Sequence, residues 1–169
     1  MKKNIVLIGF MGSGKSLIAR ELAKRLNTKV VSTDDMAQQR AGQTIQEIFG
    51  SKGEAYFRNL EHDIIKEISP LGIVIDCGGG VVLHKENLKL LKANGIVFYL
   101  QATPEVIFQR IKNEKHRPLL KGPDPLGCIK ELYQQRLPLY TQADYTIDAN
   151  DASIEGPVVE IIKKIGIRG

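Results

Sequence analysis

No stretch of this chain approaches the roughly 20 consecutive apolar residues that a membrane-spanning helix needs, which sets a transmembrane role aside. Cysteine is scarce. Cys77 and Cys128 are the only two in 169 residues; they share no metal or redox spacing and read as structural thiols in a reducing compartment. Runs of basic residues interleaved with aromatics are missing, so the net charge of +5 is met as well by a small anionic substrate as by nucleic acid. Internal repeats, low-complexity tracts and interdomain linkers are absent too, and the length suits one domain over 1–169 with a single substantial core. The opening Met1-Lys2-Lys3 ahead of an apolar stretch imitates a secretion signal, but Gly9 and Gly12 interrupt it. The chain reads as cytoplasmic, and its 25% charged and 43% hydrophobic residues are ordinary for a soluble globular protein.

What is present is a complete phosphate-binding loop. Residues 9–16 read GFMGSGKS, a G-x-x-x-x-G-K-S motif, directly after the apolar run Ile5-Val6-Leu7-Ile8. Glycines at 9, 12 and 14 let successive backbone N–H groups line one concave anion nest. Lys15 places a point charge on the outer phosphates, Ser16 offers a hydroxyl to Mg²⁺, and the following helix adds the positive end of its dipole. The expected ATP contacts of the loop are Gly9, Gly12, Ser13, Gly14, Lys15, Ser16 and Leu17.

Short β-branched runs at 4–8, 29–31, 73–76, 96–100 and 145–147 alternate with helical patterns at 15–26, 36–40, 45–49, 54–68, 85–93, 104–112, 126–143 and 156–165. The alternation predicts an α/β fold, a three-layer sandwich around five parallel strands, each covered on both faces. Residues 113–125, NEKHRPLLKGPDP, break the pattern and read as a mobile lid, with Arg117 able to swing towards a transferring phosphoryl group.

Two further clusters stand out. In the helix beginning near GEAYFR at 53–58, Glu54 at i−4 and Glu61 at i+3 share a face with Arg58, and either could orient its guanidinium. After the third strand, Asp76-Cys77-Gly78-Gly79-Gly80 puts bare backbone at the usual ligand crevice of an open α/β sheet, as a dock for a small anion or as a flexible turn. Asp76 itself reads as a strand-end carboxylate able to orient Mg²⁺ or its waters. His62, His84 and His116 lack a paired nucleophile or ligand spacing and read as surface residues.

The joint pattern resembles shikimate kinase. GFMGSGKS, Ser32-Thr33-Asp34, GEAYFR, the glycines at 78–80, Arg117-Pro118-Leu119-Leu120 and Arg136-Leu137-Pro138-Leu139-Tyr140 together cover nearly the whole chain. The resemblance implies a P-loop kinase fold with a substrate-binding helical region over about 33–61. It implies transfer of the γ-phosphoryl group of ATP, with Mg²⁺, to the 3-hydroxyl of shikimate, on the way to the aromatic amino acids. Carried over by position, Arg58 and Arg136 grip the shikimate carboxylate, assisted by the backbone of Gly78, Gly79 and Gly80. Asp34 holds the hydroxyls and orients the attacking one. Lys15 and Arg117 stabilise the transferring group, and Arg110 with the turn at Asp148-Ala149-Asn150 flanks adenine.

One position departs from the pattern. The family usually carries Asp-x-Asp after the second strand, the first aspartate holding a water on Mg²⁺, and here that place is Ser32. The lost charge is expected to come from Asp76 on the neighbouring strand, where relatives commonly have a small or hydroxyl residue, so that Ser16 and Asp76 form the metal side; Asp35 is expected to point elsewhere. Other readings are a sibling kinase for gluconate or a nucleoside monophosphate, and a regulatory module without catalysis, which only Ser32 favours. The expected partners are ATP and shikimate, with no nucleic acid or membrane, and the expected state is a monomer.

Overall fold

The computed structural model describes residues 3–68, 70–114 and 122–166. Five parallel strands, β1 (Asn4–Ile8), β2 (Val30–Ser32), β3 (Val74–Asp76), β4 (Gly95–Gln101) and β5 (Tyr145–Asp148), form one sheet in the order β2-β3-β1-β4-β5. The helices are α1 (Lys15–Arg25), α2 (Thr33–Ala41), α3 (Ile45–Glu67), α4 (Asn87–Asn94), α5 (Pro104–Ile111), α6 (Pro125–Tyr140) and α7 (Glu155–Lys164), with a 3₁₀ turn at Val81–Leu83.

Alternation along the central strands sorts the core into two layers. Ile5 and Leu7 of β1, with Phe98 and Leu100 of β4, pack on Ile18 and Leu22 of α1 and on Val158 and Ile161 of α7. Val6, Ile8, Val97 and Tyr99 point the other way, onto Phe57, Ile64 and Ile65 of α3, Leu91 of α4, Ile107 of α5 and Ile129 of α6. Every residue of β1 is buried, as a strand covered on both faces must be.

Three helical expectations need correction. The segments anticipated at 45–49 and 54–68 form one helix, α3, kinked at Gly53, where φ 83 and ψ 167 leave the helical region without ending the element. Its N-terminus is a capping box: the Thr44 hydroxyl accepts from Glu47 N–H, and the Glu47 carboxylate accepts from Thr44 N–H. Helix α2 starts at Thr33 rather than Met36, because the Ser32 hydroxyl accepts from the Asp35 N–H at 3.2 Å and caps it. Helix α6 stops at Tyr140, short of 143, and contains Pro138. Of the lid expected over 113–125, residues 115–121, including His116 and Arg117, lie outside the described residues.

Candidate active site

The turn from β1 into α1 is set by Gly14, whose φ of 92 places the N-cap of α1 in the left-handed region that a side chain disfavours. Gly9 is required for a different reason: a Cβ there would lie 2.7 Å from the Leu100 carbonyl oxygen of β4. The loop holds its own lysine. Lys15 is 8% exposed, and its Nζ donates to the carbonyls of Gly9 and Phe10, both at 3.0 Å. Ser13 is buried beneath the loop, and its hydroxyl has no partner.

Above the strand ends opens a cavity of about 1120 Å³. It brings together Gly12, Gly14, Lys15, Ser16 and Leu17 of the loop, Asp34 of α2, Arg58 of α3, Asp76 and the glycines 78–80 after β3, and Arg136 of α6. Gly9 and Ser13 support the loop without lining the cavity. Arg110 and Asn150 border a second cavity of about 320 Å³, and Arg110 links the two regions by donating to the carbonyls of Gly12, Asn150 and Asp151 at 3.4, 3.1 and 2.6 Å.

The glycine run is packed between the charged groups rather than loose. A Cβ on Gly78 would collide with the Asp34 carboxylate, and one on Gly80 with the Arg58 guanidinium. The Thr33 hydroxyl accepts from the Gly78 N–H at 3.0 Å. The Gly79 carbonyl accepts from the Tyr140 hydroxyl and, at 3.5 Å, from Arg136. Each end of the run is thus met by a charged side chain, and its middle carbonyl is held from α6.

Arg58 uses both of its neighbours. Glu54 accepts from its Nε and Nη2 at 3.2 and 3.1 Å, and Glu61 accepts from Nη1 at 2.9 Å, while the guanidinium lies 5.1 Å from the centroid of the Phe57 ring. Glu61 is fully buried, so desolvation pushes its carboxyl up to about 7 against the opposing pull of Arg58. Its Oε1 has no partner, nor has the buried Nε of Arg136. The Arg58 and Arg136 guanidinium groups both reach the same cavity, a pairing that suits a small carboxylate.

The side expected to hold the metal is built from two strands at one height. Ser32 and Asp76 are register partners across β2 and β3. Asp76 is 9% exposed; burial raises its carboxyl above the usual range, opposed by the hydrogen bond from Ser16 and by Lys15. Burial raises Asp34 as well, opposed by Lys15 and Arg58 and reinforced by Asp76. Asp35 does not point elsewhere as expected. It lines the same cavity and its charge reaches Asp76, because α2 begins early enough to hold both aspartates in its first turn. A serine hydroxyl beside carboxylates suits Mg²⁺, which keeps several waters and takes few protein oxygens. No group of three or more His, Cys, Asp or Glu forms a closed metal cage among the described residues.

Other residues were missed by sequence reasoning. Thr33 and Tyr140 hold the glycine run, and both stood within quoted motifs; their partners are more than 40 residues away, so local pattern gives no sign of them. His62 is not a surface residue: it is 7% exposed, hydrogen-bonded to Asn87 and stacked on His84, because the loop into α4 packs over it.

Residues 11–166 match the family model described as shikimate kinase. The chain is 46% identical to the shikimate kinase of Thermodesulfovibrio yellowstonii over 96% of its own length and 94% of that protein. It is 44% identical to that of Caldanaerobacter subterraneus subsp. tengcongensis, covering 95% of each. Among solved structures, the shikimate kinase from Acinetobacter baumannii in complex with shikimate superposes with a TM-score of 0.91 at 34% identity, over 98% of this chain and 93% of the other.

Proposed function

The chain belongs to the shikimate kinase family and phosphorylates shikimate with ATP, and from that premise we propose which of its residues carry the transfer to the 3-hydroxyl. The observation that carries the assignment is the opposition, across one cavity, of the phosphate loop and a carboxylate grip made of Arg58, Arg136 and the backbone at 78–80.

Arg58 arrives already oriented by Glu54 and Glu61, so little rotamer freedom is lost when it meets the acceptor carboxylate. Arg136 completes the pair from α6, across the same cavity. Asp34 lies over Gly78, between Lys15 and Arg58, where it can align the attacking hydroxyl and take its proton. Lys15 exchanges the carbonyls of Gly9 and Phe10 for phosphate oxygens, and Arg117 adds charge to the transferring group. The loop residues Gly9, Gly12, Ser13, Gly14, Ser16 and Leu17 seat the triphosphate, with Arg110 and Asn150 beside the base. Ser16 and Asp76 would hold Mg²⁺, which would neutralise phosphate charge when bound. Residues 113–125 serve as the lid of a single domain.

On the same reading the enzyme is a monomer of the cytoplasm. Its two free cysteines, Cys77 buried and Cys128 exposed, suit a reducing compartment, and no helix among the described residues is long and apolar enough to cross a membrane.

The test is ADP release from Mg-ATP with shikimate, gluconate, AMP or no acceptor. Release that depends on shikimate, lost when Arg58 or Arg136 becomes Ala, upholds the reading. Release with gluconate or AMP in place of shikimate moves the acceptor assignment to a sibling kinase, and ATP binding without release would make Ser32 the lesion of a regulatory module.

A further inference from the structure

The glycine-bearing loop is held from behind by polar groups that take no part in the cavity. His62 follows Glu61 on α3, and its Nδ1 lies 2.7 Å from Oδ1 of Asn87, the first residue of α4. Asn87 is fully buried and donates its Nδ2–H to the Val81 carbonyl at 2.9 Å. With the amide nitrogen committed to a carbonyl, Oδ1 can only accept, so this network assigns the proton of His62 to Nδ1. Val81 directly follows Gly80, and its N–H closes the turn onto the Gly78 carbonyl at 3.1 Å, while Leu83 N–H reaches the Gly80 carbonyl at 2.9 Å. The His62 ring is fixed in turn by His84, stacked at 3.8 Å between centroids and 19° between planes, whose Nδ1 accepts from the Glu86 N–H at 3.4 Å. One helix therefore reaches the site twice, with Arg58 lining the cavity and His62 behind the loop.

We propose that His62 is a positioning residue for the acceptor: through Asn87 it fixes the Val81 carbonyl, and with it the position at which the backbone of Gly78, Gly79 and Gly80 meets the substrate. This rests on the reading of those glycines as acceptor-binding backbone. The loop offers no side chain of its own between 78 and 80 to hold its position, so an anchor must come from outside it, and the buried His62–Asn87–Val81 chain supplies one at its downstream end.

Two substitutions separate the hydrogen bond from the ring. His62→Phe keeps a ring to stack on His84 and removes the donor, whereas His62→Gln keeps a donor and removes the ring. Both are compared with the parent enzyme for the KM of shikimate, the KM of ATP, kcat, melting temperature and amide hydrogen exchange at Val81 and Leu83. Loss of one buried hydrogen bond corresponds to about a 2- to 10-fold effect. His62→Phe should raise the shikimate KM by about that factor, leave the ATP KM in place and speed exchange at both amides; His62→Gln should restore all three towards the parent. If His62→Phe does not fold, Asn87→Ser breaks the same link from its other end and takes its place.

Unchanged exchange in a folded His62→Phe enzyme overturns the proposal, as do equal rises in both KM values or a Gln variant no better than Phe. Faster exchange with an unmoved shikimate KM also overturns it, and Gly80→Ala then says why. If Gly80→Ala, whose methyl displaces the loop or Arg58, raises that KM, the acceptor site at this end of the cavity stands but His62 does not set it; if it leaves the KM unmoved, the reading of the glycines falls as well.

Discussion

A single methyl group at Gly80 would occupy the space of the Arg58 guanidinium, so Gly80→Ala must displace either the loop or the arginine. The expected result is a rise in shikimate KM of about tenfold or more, with a much smaller change for ATP, read from initial rates at saturating co-substrate. Glu61 makes a separate prediction through its proton. Its folded pKa, about 7, lies above the ordinary 4.5, so its favourable contribution is present below pH 4.5 and is lost as pH rises through 7. Glu61→Gln removes that titration while keeping an oxygen for Arg58. The melting temperature of the parent should therefore fall relative to the variant between pH 5 and pH 8, and parallel curves would refute the assignment. The placement of Glu61 and Glu54 around Arg58 was legible from helix spacing alone. Its full burial was not, because the groups around it, Asp34 of α2, Arg136 of α6 and Gly78 after β3, are all remote in sequence.

At the scale of elements, Ser32 has two jobs that the sequence pattern merged into one. It caps α2, and it stands in register with Asp76, where the family pattern places a carboxylate. Ser32→Ala should cost about 1 kcal/mol of stability by losing the cap, measured by urea denaturation. Asp caps as well as Ser does, so the exchange Ser32→Asp with Asp76→Ser should restore the low Mg²⁺ requirement that Asp76→Ser alone raises. Calorimetric metal titration in the presence of a non-hydrolysable ATP analogue reads this independently of turnover. The five strands were legible from their short apolar runs to within two residues at each end. Strands β1, β3 and β4 are covered on both faces, which leaves little freedom in composition, whereas the edge strands β2 and β5 are mostly half-buried or exposed, contrary to the expectation that every strand would be covered. The continuity of α3 was not: Gly53 looks like a boundary in sequence, and only the packing of Ile48 and Phe57 into one core carries the helix past it.

At the scale of the molecule, the sheet order explains why the site forms at all. Sequence patterning announced parallel strands, but it could not say that β3 would insert between β1 and β2. That insertion puts the phosphate loop after β1 and the glycine run after β3 at neighbouring strand ends, with Asp34 just beyond β2, so three remote segments share one cavity. Ligands that bridge those segments should stabilise the whole fold. At about 100 times its dissociation constant a ligand adds roughly 2.7 kcal/mol, which for a chain of this size is about 5–10 °C in melting temperature. Mg-ADP together with shikimate should approach the larger value in a thermal-shift experiment, and gluconate in place of shikimate should add nothing beyond Mg-ADP.

The bare backbone at 78–80 also limits how this enzyme can be redesigned. With Asp34 and Arg58 resting against the first and last of the three glycines, and Met11 N 3.3 Å from a Cβ on the middle one, the loop has no room for a new side chain. Directed evolution towards a different hydroxy acid would gain nothing from randomising these positions. Altered selectivity must enter from the rim, through the helices that carry residues 34, 58 and 136, and only by changes that keep their contacts with the glycine floor.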